Sequence, residues 1–250
     1  MSTVNEHYEK LLSQHYTWMF GASFEERVKD QKSFLSRMLG SLPNPTQRGL
    51  AVDLGCGPGF QTIALAELEF SPVIAIDTSG ELLDELRSHV NGLPVRTEKA
   101  DLRNFSALVP TGQATVVVCM GDTLTHLQKK SDVSSLFGSV FDTLRKGGVF
   151  VITYRDLTTE LFGTDRFIPV RSDENKIMTC FLEFETADSV VVHDLVYTRQ
   201  NSGWSLNKSN YRKLRLGIAW IRNELSKAGF DFISEDLSGR LIGLAAVKPA

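Results

Sequence analysis

Three cysteines in 250 residues, Cys56, Cys119 and Cys180, are too few and too scattered for a disulfide framework. None lies in a Cys-x-x-Cys pair or a Cys/His cluster, so no metal site is expected, and a reducing cytoplasm is the expected compartment. No apolar run approaches the roughly 20 residues of a membrane span, and the polar start MSTVNEHYEK is not a signal peptide. Charge of one sign is also missing. Lys and Arg total 27 against 30 Asp and Glu, for a net charge of −3, which leaves no electrostatic footprint for nucleic acid or an anionic bilayer. Internal repeats and low-complexity tracts are absent. What remains is ordinary globular composition, 42% hydrophobic and 23% charged, at a length suited to one generous domain.

Hydrophobic spacing divides the chain. Tyr8, Leu11, Leu12, His15 and Tyr16 fall at helical spacing, as do Phe34, Leu35, Met38 and Leu39, which predicts a helical lead over 1–45 ending near SLPNPTQRG. Strand-like and helix-like segments then alternate through 46–158. Strands are expected at 50–55, 72–77, 94–101, 114–122 and 149–154, with helices from Phe60 to Leu68, after Thr78, and over 132–145. Thr78 and Glu81 have capping-box spacing, and Gly147-Gly148 reads as a helix stop. Such alternation implies a mostly parallel sheet covered on both faces. Over 159–216 the pattern turns β-rich, with strands at 175–186, 189–200 and 209–216 and a hairpin turn at Asn201-Ser202-Gly203. A last helix and two closing strands fill 217–250. The fold class is α/β, a Rossmann-like seven-stranded sheet with an antiparallel insertion, in one domain.

The chemistry-bearing stretch is Val52-Asp53-Leu54-Gly55-Cys56-Gly57-Pro58-Gly59, between a strand and a helix. Glycines there permit positive φ and a close approach of ligand to backbone, at the strand edge where open α/β sheets bind ligands. Its G-x-G-x-G spacing is not the dinucleotide fingerprint, and no Gly-Lys-Ser/Thr follows, which excludes a P-loop. Asp77, at the end of the second strand, can accept from two ribose hydroxyls and would repel a ribose 2′-phosphate. Asp101, at the end of the third, can accept from an adenine amino group while Leu102 packs on the ring.

Together these residues resemble the class I S-adenosylmethionine-dependent methyltransferases. VDLGCGPG resembles that family's first motif, VIAID its second, KADL its adenine site and VVVCMGDTLTHL its fourth-strand segment. HYTWMFG, CMGDTLTHL and the β-insertion are similar to small-molecule enzymes of the glycine N-methyltransferase type. The resemblance implies S-adenosylmethionine as cofactor, S-adenosylhomocysteine as product, and binding through Asp53, Gly55, Cys56, Gly57, Gly59, Asp77, Thr78, Asp101, Leu102, Met120 and Gly121. It also implies methyl transfer to a small-molecule acceptor. Nitrogen is favoured, because an amine only has to be held unprotonated and no strong base motif is visible. A methyltransferase of protein or RNA, or a silent cofactor-binding module, are the alternatives.

Candidate acceptor-side residues are Tyr16, Asp122, His126, Tyr154 and Arg155. Two readings stand for each: His126 is a base or a structural histidine, Arg155 a carboxylate clamp or a solvated arginine, and Tyr16 with Trp18 a lid or an aromatic staple. Cys56 is expected to be structural and inert. The run Lys208, Arg212, Lys213 and Arg215 is expected to be a solvated strand edge. No membrane or nucleic-acid partner is expected, and the chain is a monomer or homodimer.

Overall fold

The computed structural model describes residues 3–40, 48–201 and 203–250. The lead is helical in unequal pieces. Helix α1 (Val4–His7) is closed by a Thr3/Glu6 capping box, then passes through a π-helical turn (Tyr8–Leu12) and a 3₁₀ turn (Ser13–His15) into α2 (Tyr16–Met19). Helix α3 (Phe24–Leu39) begins with a second capping box, Ser23/Glu26. Most of the break predicted over 41–49 lies outside the described residues.

Strands β1 (Ala51–Leu54), β2 (Val73–Asp77), β3 (Val95–Lys99), β4 (Ala114–Cys119) and β5 (Leu144–Tyr154) alternate with helices α4 (Phe60–Glu67), α5 (Gly80–His89) and α6 (Lys130–Thr143). The insertion forms β6 (Phe167–Ser172), β7 (Lys176–Phe184), β8 (Ser189–Gln200) and β9 (Gly203–Leu214), and the chain closes with α7 (Ile218–Lys227), β10 (Asp231–Asp236) and β11 (Ile242–Val247). Seven strands make one sheet in the order β10-β11-β5-β4-β1-β2-β3, in which β11 runs antiparallel to both neighbours. The insertion is a separate antiparallel sheet, β6-β7-β8-β9. Two apolar layers cover the main sheet. Phe105, Phe137 and Phe150 pack in the layer with α6 and α7, and Leu35, Leu65 and Leu83 in the layer with α3, α4 and α5.

Four expectations are corrected. Helix α6 ends at Thr143, before the glycine pair, and Gly147-Gly148 lie inside β5. There their backbone groups pair with Lys248, and the β4/β5 register shifts to absorb them. Strand β6 is not among the expected strands, because Pro169 and flanking charges hide its alternation. Ser79 caps α5 in place of Thr78, its hydroxyl accepting from Leu82 N–H, so Thr78 is free for another partner. The basic run is a solvated edge only in part: Lys208 and Arg212 are exposed on β9, at the edge of its sheet, and the other two are not. Arg215 is buried and donates to the carbonyls of Leu157, Thr158 and Thr186, and Lys213 reaches into the main domain. Only Arg212 of these keeps an exposed pairing, with Glu185.

Gly59, the residue before α4, has φ +99°, and a Cβ there would collide with Leu86 of α5. Gly59→Ala should therefore lose about 2–4 kcal/mol of stability through backbone strain and overpacking. Urea unfolding at pH 7 checks this, and an unchanged midpoint would contradict it.

Candidate active site

The carboxyl ends of β1, β2, β3 and β4 open into a cavity of about 620 Å³. Beyond β1 the chain turns back at once. Gly55 and Cys56 N–H both donate to the Ile76 carbonyl, and Gly55 and Gly57 take positive φ. A Cβ on Gly57 would stand 3.7 Å from the Tyr16 ring, so the turn is a cradle that a side chain would fill. Asp77 closes the turn. One oxygen accepts from Gly57 N–H at 2.8 Å and the other from Ser79 N–H at 2.8 Å. Burial raises its carboxyl above the ordinary range, against the pull of those N–H groups. Each carboxylate oxygen has two lone pairs, so Asp77 keeps acceptor capacity toward the cavity.

Of the sequence candidates, Gly55, Gly57, Asp77, Thr78, Asp101, Leu102, Tyr16 and His126 line this cavity. Asp101 stands on the wall, but Arg103 grips it with Nε at 3.0 Å and Nη2 at 2.6 Å, and this bonding lowers its carboxyl. A ligand amino group there would share the carboxylate with Arg103. Asp53 lies beneath the turn. Its Oδ2 accepts from Thr62 at 2.6 Å, its Oδ1 has no partner among the described residues, and burial pushes its pKa up to about 7. Cys56 is buried and burial drives its thiol well up, so it is no nucleophile. Gly59 packs on α5, Met120 on the apolar layer, and Gly121 N–H donates to Thr153 Oγ1 at 2.8 Å.

The remaining acceptor-side candidates fall outside the cavity walls. Tyr154 is fully buried in the layer with α6 and α7, because its place on β5 turns it into the core. Arg155 is exposed, and its main-chain N–H, not its guanidinium, makes the close bond to Asp122, at 2.9 Å. Trp18 is a staple on the insertion, with Nε1 donating to Asp173 at 2.6 Å and Arg171 over its ring at 5.1 Å.

Asp122 has left-handed backbone (φ +78°) and is buried. Lys213 Nζ donates to its Oδ2 at 2.6 Å, and Thr125 and Arg155 donate to Oδ1. Burial would raise this carboxyl, but the Lys213 ammonium and the hydrogen bonds reverse the sign and hold it below the usual range. His126 is held down to about 3 by burial first and Lys213 next, so its imidazole is neutral at pH 7.

Sequence reasoning missed Asn5, Tyr8, Thr123 and Arg212 on the walls and Lys213 behind them. The only signal for Tyr8 was its helical spacing with Tyr16. The lead forms a strap between the two lobes. Thr78 Oγ1 donates to Asn5 Oδ1 at 3.0 Å, Thr17 donates to Glu85 at 2.5 Å, and Ser13 donates to Glu81. Burial drives both the Tyr8 and the Tyr16 hydroxyls above their ordinary range, so both stay protonated.

Residues 51–148 match a family model described as a methyltransferase domain. This match falls on the glycine turn, Asp77 and Asp101 described above. The residues that carry the resemblance to the class I S-adenosylmethionine-dependent methyltransferases thus lie inside a matched methyltransferase domain. A putative methyltransferase, YqeM, of Bacillus subtilis (strain 168) is 30% identical over 63% of this chain, which spans 62% of that relative's length. A glycine/sarcosine N-methyltransferase of Parasynechococcus marenigrum (strain WH8102) is 25% identical over 92% of this chain and 79% of its own. Among solved structures, an S-adenosylmethionine-dependent methyltransferase from Clostridium acetobutylicum superposes with a TM-score of 0.75 at 18% identity, covering 98% of this chain and 97% of that one. The cofactor of this class is S-adenosylmethionine. The Gly57 cradle and the spare acceptor capacity of Asp77 fit it, because a ribose diol donates where Asp77 accepts.

Lys213→Met leaves the buried Asp122 carboxylate with only the exposed Arg155 guanidinium, 4.0 Å away, which should cost up to about 3–5 kcal/mol at pH 7. Adding Asp122→Asn should return part of that loss. Because the folded carboxyl is depressed, the pair stabilises the wild type above the unfolded carboxylate pKa of about 4 and less as pH falls through the folded value. Urea melts of the three proteins from pH 3 to 7 measure both effects, and equal acid sensitivity in wild type and double variant would refute the assignment.

Proposed function

We propose that this protein transfers a methyl group to the nitrogen of a small-molecule amine. One observation carries the reading: a single cavity holds both the acceptor groups at the ends of β1, β2 and β3 and the tyrosine wall of the strap. Asp77 takes the ribose hydroxyls, Leu102 the face of the adenine and Asp101 its amino group, while Gly55 and Gly57 let the main chain approach the methionyl part. Met120, Gly121, Asp53, Cys56 and Gly59 shape the turn from beneath. S-adenosylmethionine, when bound, supplies a methyl already activated on sulfur. The chain's task is then alignment and exclusion of water. Well-aligned reactants gain on the order of 7–11 kcal/mol from positioning alone.

Strand order separates the two ends of the cavity. From β3 to β4 are three strand spacings, roughly 14 Å, so Tyr16, near Gly121, and His126 lie far from Asp101. The acceptor belongs at that end. Its imidazole and phenols are neutral at pH 7, which suits an amine arriving with its own lone pair better than a hydroxyl that must be ionised. The glycine/sarcosine relative is named for the same acceptor atom, which supports nitrogen without assigning glycine as the substrate. Few, scattered cysteines support a cytoplasmic location, and a net charge of −3 supports a partner other than nucleic acid.

Calorimetric titration with S-adenosylhomocysteine tests the cofactor half. Saturable binding by the wild type, weakened at least about 10-fold in Asp77→Ala by the loss of charged hydrogen bonds, is expected. Equal affinity in the two proteins would remove Asp77 from the ribose site.

A further inference from the structure

An antiparallel sheet packed on one side carries apolar residues on that face and polar residues on the other. The inner face of the inserted sheet obeys this rule, with Leu182, Val190, Val192 and Tyr211 buried beside Leu157, and Met178 and Val196 beside Leu11 and Leu12 of the strap. Its outer face does not. Alternate residues point outward, and the register sets them in rows across the strands. Ile177, Tyr197 and Leu206 make one row and Phe167 and Phe181 another, with Leu195 in the row between. Four large apolar side chains on this face stand in water: Phe167 is 52% exposed, Trp204 47%, Leu206 42% and Ile177 39%. Among the described residues no other sheet face or helix carries two. A gathered apolar patch of this kind marks a contact with another macromolecule.

The charges on the face make it complementary to itself. Glu183 lies in the row of Arg212 at one end, and Glu185 follows at the turn after β7. Glu183 has His193 as its one partner among the described residues. Arg199 lies opposite Trp204 at the other end. Its guanidinium donates to the main-chain carbonyl of Glu174 and meets no carboxylate among the described residues. A two-fold axis lying in the face and across the strands reverses the strands of a second copy. It so sets the Arg199 end of each protomer on the Glu183 end of its partner, and the apolar rows between the ends cover one another. The size fits as well. The strands have 6, 9, 12 and 12 residues, and at about 3.4 Å by 4.8 Å per residue two such faces bury roughly 1,300 Å². A stable interface takes about 1,200–2,000 Å².

We propose that this protein is a homodimer in which the outer faces of the two inserted sheets pack on each other about that axis. Sheets stacked face to face lie roughly 10 Å apart, close enough for Ile177, Leu195, Tyr197 and Leu206 to interdigitate with their symmetry copies. Phe167 and Trp204 flank them, and Arg199 of each protomer stands beside its partner's Glu183. Each contact is made twice, as an isologous interface requires. The inner faces keep their contacts with the strap and the main domain, and the dimer does not depend on which acceptor the cavity takes.

Sedimentation velocity of the full chain, from about 1 to 100 μM, should give a particle of twice the 27.8 kDa chain at the upper end. Joining Ile177→Lys to Leu206→Lys puts like charges into the centre of the interface at two exposed positions, and should raise the dissociation constant at least about 100-fold. The urea midpoint and the affinity for S-adenosylhomocysteine should stay as in the wild type, which separates loss of the contact from loss of the fold. Arg199→Glu alone and Glu183→Lys alone should each weaken the dimer about 10-fold, and the two together should restore it. A monomer at every concentration overturns the proposal. So does a dimer that survives both lysines, which lies on another surface such as the open β9 edge, and so does a combined charge reversal that restores nothing.

Discussion

The Asp77 carboxylate ties together two pieces of main chain: Gly57, in the turn after β1, and Ser79, at the start of α5. Hydrogen bonds to a charged acceptor are each worth roughly 1.5–3 kcal/mol, enough to keep the turn in its left-handed glycine geometry. The same group sits largely buried at the end of β2, where desolvation works against its charge. The balance leaves a rigid acceptor with open lone pairs at the centre of a parallel sheet's carboxyl edge. Without this tie the glycine turn would keep its bonds to the Ile76 carbonyl and α5 its Ser79 cap, but the two would lose their common anchor at the floor of the cavity.

The strap is the second requirement, and it depends on the first. Thr78, next to Asp77, is released from capping α5 because Ser79 does that work, and it binds Asn5. Glu81 and Glu85 on the same helix accept from Ser13 and Thr17. On the other side His7 reaches Asp194 and Trp18 reaches Asp173 in the inserted sheet. The change from α to π to 3₁₀ geometry over residues 4–15 turns successive side chains toward different lobes, which a regular helix would not do. Lys213 on Asp122 makes the matching contact from β9 to the end of β4. The acceptor end of the cavity thus exists only where three parts of the chain meet.

Much of this is legible from residues alone, and the divide follows the range of the interaction. The glycine turn, Asp77 and the alternation of strands with helices are local patterns, and the structure places them as spacing suggests. Strand β5 starts earlier than expected because Gly147-Gly148 answers to Lys248, a partner a hundred residues away. Strand alternation separates the faces of Arg212 and Lys213 but says nothing of the buried carboxylate that waits for Lys213. Tyr154 follows the same logic: an end-of-strand position predicts an edge residue, and packing with α6 and α7 makes it core. His7 and Asp194 lie 187 residues apart, and neither has a local signature.

A crystal structure of the complex with S-adenosylhomocysteine tests the central claim most directly. The ribose should lie on Asp77, the adenine against Leu102 and the sulfur end beneath Tyr16, with the strap bonded to both α5 and the inserted sheet. A nucleoside bound elsewhere, or one seated with its sulfur end toward Asp101, would contradict it.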